Sequence, residues 1–184
     1  MAQYLTKSMI RQFAQRDISR KAMDDYIKRY PFPAKARVFL SHSHNDGQGL
    51  SKDDIHALVV MLITLNCDVY VDWLDPEMPT QTCADTAKRI KEKIDGCDRF
   101  LMAATTNAVN SRWVPWELGY ADKAKGVKNI AVLPIADPYG RWEGSEYLSL
   151  YPTAQISSTD HLAVFPPSSN NGYYIEDWMS GKGT

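Results

Sequence analysis

The sequence predicts an α/β fold in which helices flank a parallel β-sheet. Short apolar segments alternate along the chain with amphipathic segments of about ten to fifteen residues, an order typical of parallel strands joined by right-handed helical crossovers. The length of 184 residues suits one domain with its own core. A content of 44% hydrophobic and 23% charged residues is ordinary for a globular chain, so composition excludes a disordered, collagen-like or low-complexity protein.

The cysteines and the hydropathy pattern indicate the cellular compartment in which the protein is found. Cys67, Cys83 and Cys97 are an odd number of thiols without a Cys-x-x-Cys pair, which favours a reducing environment over a disulfide framework. No apolar run approaches the roughly 20 residues of a membrane span, and the N-terminus lacks the apolar stretch of a signal peptide. We therefore expect a cytoplasmic protein without a membrane partner.

The N-terminal part of the chain is basic, although the whole chain is nearly neutral. Residues 1–37 carry nine Lys or Arg and three Asp, whereas the remaining residues carry twelve basic and nineteen acidic side chains. The basic segment either binds an anionic partner, such as nucleic acid, lipid or another subunit, or docks on the acidic body of its own chain. It lacks the interleaved aromatic and basic residues that stack nucleic-acid bases, so nucleic acid is not an expected partner.

The first thirty residues predict one or two amphipathic helices. Apolar residues recur there at helical spacings, and Pro31 and Pro33 end the pattern. We assign residues 1–36 to an N-terminal helical extension and residues 37–184 to the main domain, which opens with an apolar strand at 37–40.

A helix follows this first strand. Ser51 is suited to cap it, because Asp53 and Asp54 then lie in the first turn, where the helix dipole stabilises carboxylates. Apolar residues at helical spacing continue towards Asn66, which is suited to close the helix, and a second strand follows at 69–71.

The same alternation continues through the rest of the main domain. Ser111 is suited to cap a later helix that has Pro115 in its first turn, where a missing N–H costs nothing, and that ends near Gly126. The other predicted segments are a helix at 82–94 with Gly96 as its C-cap, strands at 99–104 and 130–135, a weak strand at 162–165, and a short closing segment around Trp178.

A functional site is expected at one edge of this sheet. Ligands of parallel α/β sheets bind outside the carboxyl ends of the strands. The segments that follow the first three predicted strands are 41–50, 72–80 and 105–117.

Trp113 and Glu117 lie in the third of these segments. They are four residues apart and therefore share one helix face near its N-terminus. A partly dehydrated carboxylate beside an indole is suited to stabilise a developing positive charge. The alternative is a packing tryptophan and a solvated glutamate that interacts with the helix dipole.

Carboxylates and hydroxyls are also abundant in the first two segments. Asp46, Asp72, Asp75 and Glu77 offer oxygen ligands for Mg²⁺ or Ca²⁺, but their spacing matches no EF-hand loop, and we expect no metal.

His42 and His44 flank Ser43, which makes a Ser–His hydrolase pair conceivable. Neighbours on an extended segment point to opposite sides, however, and the sequence has no Gly-x-Ser-x-Gly elbow. Ser41 and Ser43 are better suited to ligand contact or turn capping. The chain also lacks Gly-x-Gly-x-x-Gly and Walker lysine motifs, which excludes Rossmann dehydrogenases and P-loop NTPases.

Three segments together resemble the Toll/interleukin-1 receptor (TIR) domain family. Residues 38–46 (VFLSHSHND) are similar to its first strand and loop, and residues 69–73 (VYVDW) before a Pro-bearing loop are similar to its second strand and BB loop. The third strand and the helix that bears the family's catalytic glutamate are similar to residues 100–119. The resemblance covers about 37–135, and residues 137–184 match only loosely.

This resemblance implies a flavodoxin-like TIR fold with a five-stranded parallel sheet and an enzyme that cleaves NAD at the nicotinamide–ribose bond. Glu117 is then the catalytic residue and Trp113 a wall of the nicotinamide pocket. Ser41, His42 and Ser43 become candidates for phosphate and ribose contacts. Asp72 and Trp73 would line the pocket or an assembly surface.

The resemblance also implies how the activity is used. The product is ADP-ribose or a cyclic ADP-ribose isomer, and stand-alone bacterial members of Thoeris-type anti-phage defence make such a nucleotide signal for a separate effector protein. NAD is the substrate, no further cofactor is expected, and the chain could self-associate through TIR surfaces. Two alternatives remain open: a TIR–TIR interaction module without catalysis, and an enzyme like the nucleoside 2-deoxyribosyltransferases, whose glutamate attacks the sugar.

Overall fold

The computed structural model describes residues 2–17, 37–43, 49–65, 67–79, 81 and 83–182. Several predictions lie outside these residues: the second half of the N-terminal helices with Pro31 and Pro33, the domain boundary at residue 36, and the closing role of Asn66. The strands are β1 (Leu5–Thr6), β2 (Arg37–Ser41), β3 (Asp68–Tyr70), β4 (Arg99–Ala104), β5 (Ile130–Ala136), β6 (Thr153–Ile156), β7 (Leu162–Phe165) and β8 (Tyr173–Tyr174). The α-helices are α1 (Lys7–Asp17), α2 (Lys52–Thr64), α3 (Ala84–Gly96), α4 (Thr106–Val109), α5 (Val114–Lys125) and α6 (Ile175–Met179).

The strands form one sheet in the order β3-β2-β4-β5-β6-β7-β8, and β1 pairs with β5 outside this path. The pairs from β3 to β6 and the pair β1–β5 are parallel, so the predicted α/β class and flavodoxin-like parallel sheet are confirmed. The weak strand predicted at 162–165 is present as β7, but it pairs antiparallel with β6. The sequence patterns did not indicate β1, β6 or β8.

Alternating side chains of the central strands build a core on each face of the sheet. Val38 and Leu40 of β2 point towards the face covered by α1, α2 and α6. Phe39 points to the opposite face, where it stacks on Phe100 with ring centroids 5.5 Å apart and packs with α3 and α5. The carboxyl ends of the strands therefore lie between helices that cover both faces of the sheet.

The helix ends follow the predicted capping chemistry with small differences. Ser51 caps α2, as predicted, and it forms a capping box with Asp54. At α5 the N-cap is Trp113 instead of Ser111, whose Oγ accepts hydrogen bonds from the backbone N–H groups of Trp113 and Val114 at 3.1 and 3.4 Å. The predicted end of α5 at Gly126 is confirmed, and this glycine has φ 75°, a backbone conformation that favours a residue without Cβ.

The third helix begins and ends slightly later than predicted. It spans Ala84–Gly96, so Gly96 is its last residue and Cys97 is the C-cap. The polar segment after β4 forms the short helix α4, because the Thr105 side chain accepts a hydrogen bond from the N–H of Ala108.

The described part of the basic N-terminal segment docks on its own chain. Arg11 of α1 donates a hydrogen bond of 2.5 Å from its Nε to the buried carboxylate of Asp54 on α2. Lys7 donates from its Nζ to the carbonyl oxygen of Gly49 at 2.6 Å. These contacts support the intramolecular interpretation of the basic charge as far as residue 11.

The three cysteines are free thiols, and burial raises the pKa of both Cys67 and Cys97 to about 12. Across the residues that the structure describes, every helix is too short or too polar to cross a membrane.

Candidate active site

The buried carboxylate of Glu117 lies in the first turn of α5, on the side of the helix that faces the sheet. Only 5% of this residue is exposed, in contrast to the solvated glutamate of the alternative interpretation. Its backbone N–H donates to the carbonyl oxygen of Trp113 at 2.8 Å, which is the first regular hydrogen bond of the helix. The positive end of the helix dipole stabilises a negative charge at this position.

Ser41 holds this carboxylate at the carboxyl end of β2. Its Oγ donates a hydrogen bond of 2.5 Å to Oε2 of Glu117. Ser41 lies two residues after Phe39 and therefore points to the same face of the sheet, where α5 packs. The sequence suggested Ser41 as a substrate contact, whereas the structure gives it a direct bond to the candidate catalytic residue.

His42 and Asp72 bring the ends of β2 and β3 together. The Nδ1 of His42 lies 3.9 Å from Oδ1 of Asp72, and the same carboxylate oxygen accepts the backbone N–H of Trp73 at 2.8 Å. His42 and Ser43 are both buried. Asp72 also begins a 3₁₀ turn that spans Asp72–Leu74. Two pairs of predicted site residues are therefore in contact at the carboxyl ends of β2 and β3, Ser41 with Glu117 and His42 with Asp72, and Ser43 follows His42 in the chain.

The two tryptophans of the prediction pack away from each other. Trp73 lies on the α2 side, with its ring centroid 4.8 Å from that of His56, and its indole N–H is buried without an acceptor in the described part of the chain. Trp113 lies on the opposite side, in an edge-to-face contact of 5.3 Å with Trp116. The two rings therefore lie on different faces of the sheet.

The acidic residues after β3 form an ion-pair network that ties their loop to α3. Asp75 accepts hydrogen bonds from Arg89 at 3.0 and 3.1 Å and from the Tyr70 hydroxyl at 2.8 Å, and Lys93 lies 3.7 Å away. Arg89 also pairs with Glu77. Burial alone would raise the pKa of Asp75, but the hydrogen bonds from Arg89 and Tyr70 outweigh it and lower the pKa to about 2.

The carboxylates named as potential metal ligands therefore have different surroundings. Asp75 and Glu77 bind cationic side chains, Asp72 lies beside His42, and Asp46 lies outside the described residues. Among the residues that the structure describes, no three His, Cys, Asp or Glu side chains are grouped as a metal site requires.

A large cavity lies at the ends of β1, β4 and β5. It has a volume of about 880 Å³ and extends between the start of α1 and residues 137–143, where it is lined by Lys7, Thr105, Arg141 and Trp142 among others. Ser41 and Glu117 do not line it. No sequence signal marks these residues, because Arg141 and Trp142 belong to no motif and Lys7 is only one charge of the basic N-terminal segment.

No protein-family model matches the sequence. The chain is similar to the probable 3' cyclic ADP-D-ribose synthase ThsB' of Bacillus cereus (strain MSX-D12), with 30% identity over 175 residues, which cover 91% of this chain and 87% of the relative. The chain belongs to the Thoeris-type TIR family.

The similarity to this relative is wider than the three TIR-like segments. Because it covers 91% of the chain, it extends beyond residues 37–135 on both sides. In this Thoeris-type TIR protein the basic N-terminal segment and the C-terminal strands therefore belong largely to the part shared with the relative. Strand β1 of the N-terminal segment pairs with β5 and is therefore part of the sheet.

Proposed function

We propose that this chain is an enzyme that cleaves the bond between nicotinamide and ribose in NAD and releases nicotinamide with ADP-ribose or a cyclic ADP-ribose isomer. The similarity to a protein named as a cyclic ADP-ribose synthase supports this proposal. The observation that carries it is the buried carboxylate of Glu117, which accepts a hydrogen bond from Ser41 at the carboxyl edge of the sheet.

The reaction needs one carboxylate, whereas ordinary glycosidases need a pair. The bond between ribose C1′ and the pyridinium nitrogen breaks, and both electrons go to that nitrogen. Nicotinamide then leaves as a neutral molecule and requires no proton from a general acid. The ribose left behind has oxocarbenium character, and the negative charge of Glu117 stabilises it.

In this proposal the neighbouring residues position the sugar. Glu117 accepts hydrogen bonds from the 2′- and 3′-hydroxyls of the ribose, and Ser41 fixes the orientation of the carboxylate. His42 and Ser43 contact the ribose and phosphate, while Asp72, Trp73 and Trp113 line the pocket.

The nucleophile that attacks the oxocarbenium ion decides the product. Water attacks C1′ and loses one proton to give ADP-ribose, or a nucleophilic atom of the same molecule attacks C1′ and gives a cyclic isomer. We propose that the product is a cytoplasmic signal in anti-phage defence, which a separate effector protein binds, and that the chain associates with further copies through its TIR surfaces.

Incubation of the purified protein with NAD tests this function. We expect release of nicotinamide, measured by chromatography, and a second product whose mass identifies it as ADP-ribose or a cyclic ADP-ribose isomer. The experiment is repeated with extract of phage-infected cells, which supplies a trigger if one is needed. Absence of nicotinamide release under both conditions would contradict the proposal and favour an interaction module. Base exchange on deoxynucleosides, with a covalent sugar adduct on Glu117, would indicate a deoxyribosyltransferase.

A further inference from the structure

We propose that the 880 Å³ cavity between the start of α1 and residues 137–143 binds the AMP half of NAD. This inference rests on the proposed function, because it takes the nicotinamide end of the substrate to lie at Glu117. It assigns a substrate-binding role to the N-terminal segment and to the loop after β5. The volume lies within the range of roughly 300–1,000 Å³ that is usual for small-molecule sites.

The position of the cavity fits an extended dinucleotide. Ser41 at the end of β2 is in register with Met102 of β4, and Thr105, which lines the cavity, directly follows β4. Neighbouring strands lie about 4.8 Å apart and a strand rises about 3.3 Å per residue, so Thr105, three residues beyond Met102, lies roughly 11 Å from Ser41. A substrate with its reactive ribose beside Ser41 would therefore extend over the ends of β4 and β5 towards α1.

Two cations in the cavity wall are suited to the diphosphate. The Nζ of Lys7 donates to a neutral carbonyl, that of Gly49, and no carboxylate of the described chain forms an ion pair with it. Arg141 uses its Nε to pair with Asp137 at 3.2 Å, and its two terminal nitrogens have no acceptor among the described residues. A guanidinium with these nitrogens available can bind a phosphate through two parallel hydrogen bonds.

Two carboxylates, Asp137 and Glu143, also line the cavity. Asp137 is occupied by the side chain of Arg141 and by the backbone N–H groups of Tyr139 and Arg141, both at 2.9 Å. Arg11 at the border of the cavity pairs with Asp54. The wall thus carries two cations that are not fully paired and one carboxylate, Glu143, outside these pairs.

Trp142 provides a fixed aromatic surface for the adenine. Its indole N–H donates to the carbonyl oxygen of Ala104 at 2.6 Å, and the ring of Tyr4 packs against it at 5.6 Å. On another side lies Gly144, where any Cβ would come within 2.2 Å of the indole. Because the ring is held before a ligand arrives, little side-chain entropy is lost when a base stacks on it.

Calorimetric titration with AMP tests the cavity independently of catalysis. We expect AMP to bind the wild-type protein and Glu117→Gln alike, and to bind Lys7→Met and Arg141→Met at least tenfold more weakly. Lys52→Met is the matched control, because Lys52 is exposed on α2 and does not line the cavity, and its affinity should equal that of the wild type. Arg141 lies away from the α1–α2 contact, so its variant remains informative if Lys7→Met loosens α1.

Steady-state kinetics provide the second readout. Lys7→Met and Arg141→Met should raise KM for NAD at least tenfold and change kcat less than threefold, since they remove binding contacts far from C1′. If AMP does not bind the wild-type protein, or binds both variants with unchanged affinity, the cavity assignment is wrong. If AMP binds as expected but NAD is not cleaved, the proposed function fails and the nucleotide site stands.

Discussion

Ser41 Oγ and Glu117 Oε2 lie 2.5 Å apart, so one hydrogen bond joins the end of β2 to the first turn of α5. Both residues are buried, and a carboxylate in such surroundings is stabilised by few groups. The hydroxyl of Ser41 and the N-terminus of α5 are two of them. This arrangement holds the carboxyl group of Glu117 in place at the sheet edge before any substrate binds, and a carboxylate positioned in advance is suited to stabilise a cationic transition state.

Replacement of the Glu117 carboxylate by a neutral amide gives the most direct test of its catalytic role. Glu117→Gln keeps the shape of the side chain and removes its negative charge, so kcat for nicotinamide release should fall by about 10³-fold, as expected when the main electrostatic stabiliser is lost. The melting temperature should stay within a few degrees of the wild type. Glu92→Gln on the exposed face of α3 is the control and should retain full activity. Substantial turnover by a folded Glu117→Gln protein would rule out Glu117 as the catalytic residue.

Ser41→Ala tests the positioning of the carboxylate. Loss of a hydrogen bond to a charged acceptor costs about 1.5–3 kcal/mol, which corresponds to a decrease in kcat/KM of about tenfold to hundredfold. The decrease should lie mainly in kcat, because the variant disturbs Glu117 more than the binding of the rest of NAD. Ser41→Thr, which restores a hydroxyl, should recover part of the rate. An equal loss in both variants would indicate a packing role for Ser41.

The parts of the fold that could be predicted from sequence are those with strong local signals. The apolar strands β2, β4 and β5, the capping box of Ser51 and Asp54, and the end of α5 at Gly126 each follow from a few neighbouring residues. Strand β1 could not be predicted in this way. It has only two residues, Leu5–Thr6, and it exists because it pairs with Ile135 and Ala136 far along the chain.

The candidate site likewise contains features that could be predicted from sequence and features that could not. Topology places the ends of β2, β3 and β4 at one edge, so the proximity of Ser41, Asp72 and Glu117 follows from the order of elements. The bond between Ser41 and Glu117 depends on how α5 packs on the sheet, and the spacing of Trp113 and Glu117 does not reveal it. The cavity wall was not predictable either, because Lys7 and Trp142 meet only through the pairing of β1 with β5.

Asp54 should be important for stability, because it joins α1 to α2. Its carboxylate is 1% exposed and binds Arg11 as well as the backbone and side chain of Ser51. Asp54→Ala removes the capping box and leaves Arg11 without its partner, so the free energy of unfolding should fall by about 2–4 kcal/mol. Denaturant titration measures this change.

The neighbouring residue offers the control for this prediction. Asp53 lies in the same first turn of α2 and is exposed, so Asp53→Ala should cost less than Asp54→Ala, because it removes only exposed charge interactions, with the helix dipole and with Arg11 among them. Similar losses in the two variants would show that the buried contact with Arg11 contributes little.

Asp75 should make stability depend on acid pH. Burial opposes its ionisation, but Arg89 and Tyr70 lower its pKa to about 2, against about 3.9 in an unfolded chain. The ionised carboxylate therefore stabilises the fold fully above about pH 4, and this contribution, about 2 kcal/mol, is lost as the pH falls towards 2. Urea unfolding at pH 7, 4 and 2.5 should show a shallower acid decline for Asp75→Asn than for the wild type, whereas Asp85→Asn at an exposed position should leave the slope unchanged. Parallel curves for Asp75→Asn and the wild type would mean that the Arg89 pair does not stabilise the folded state.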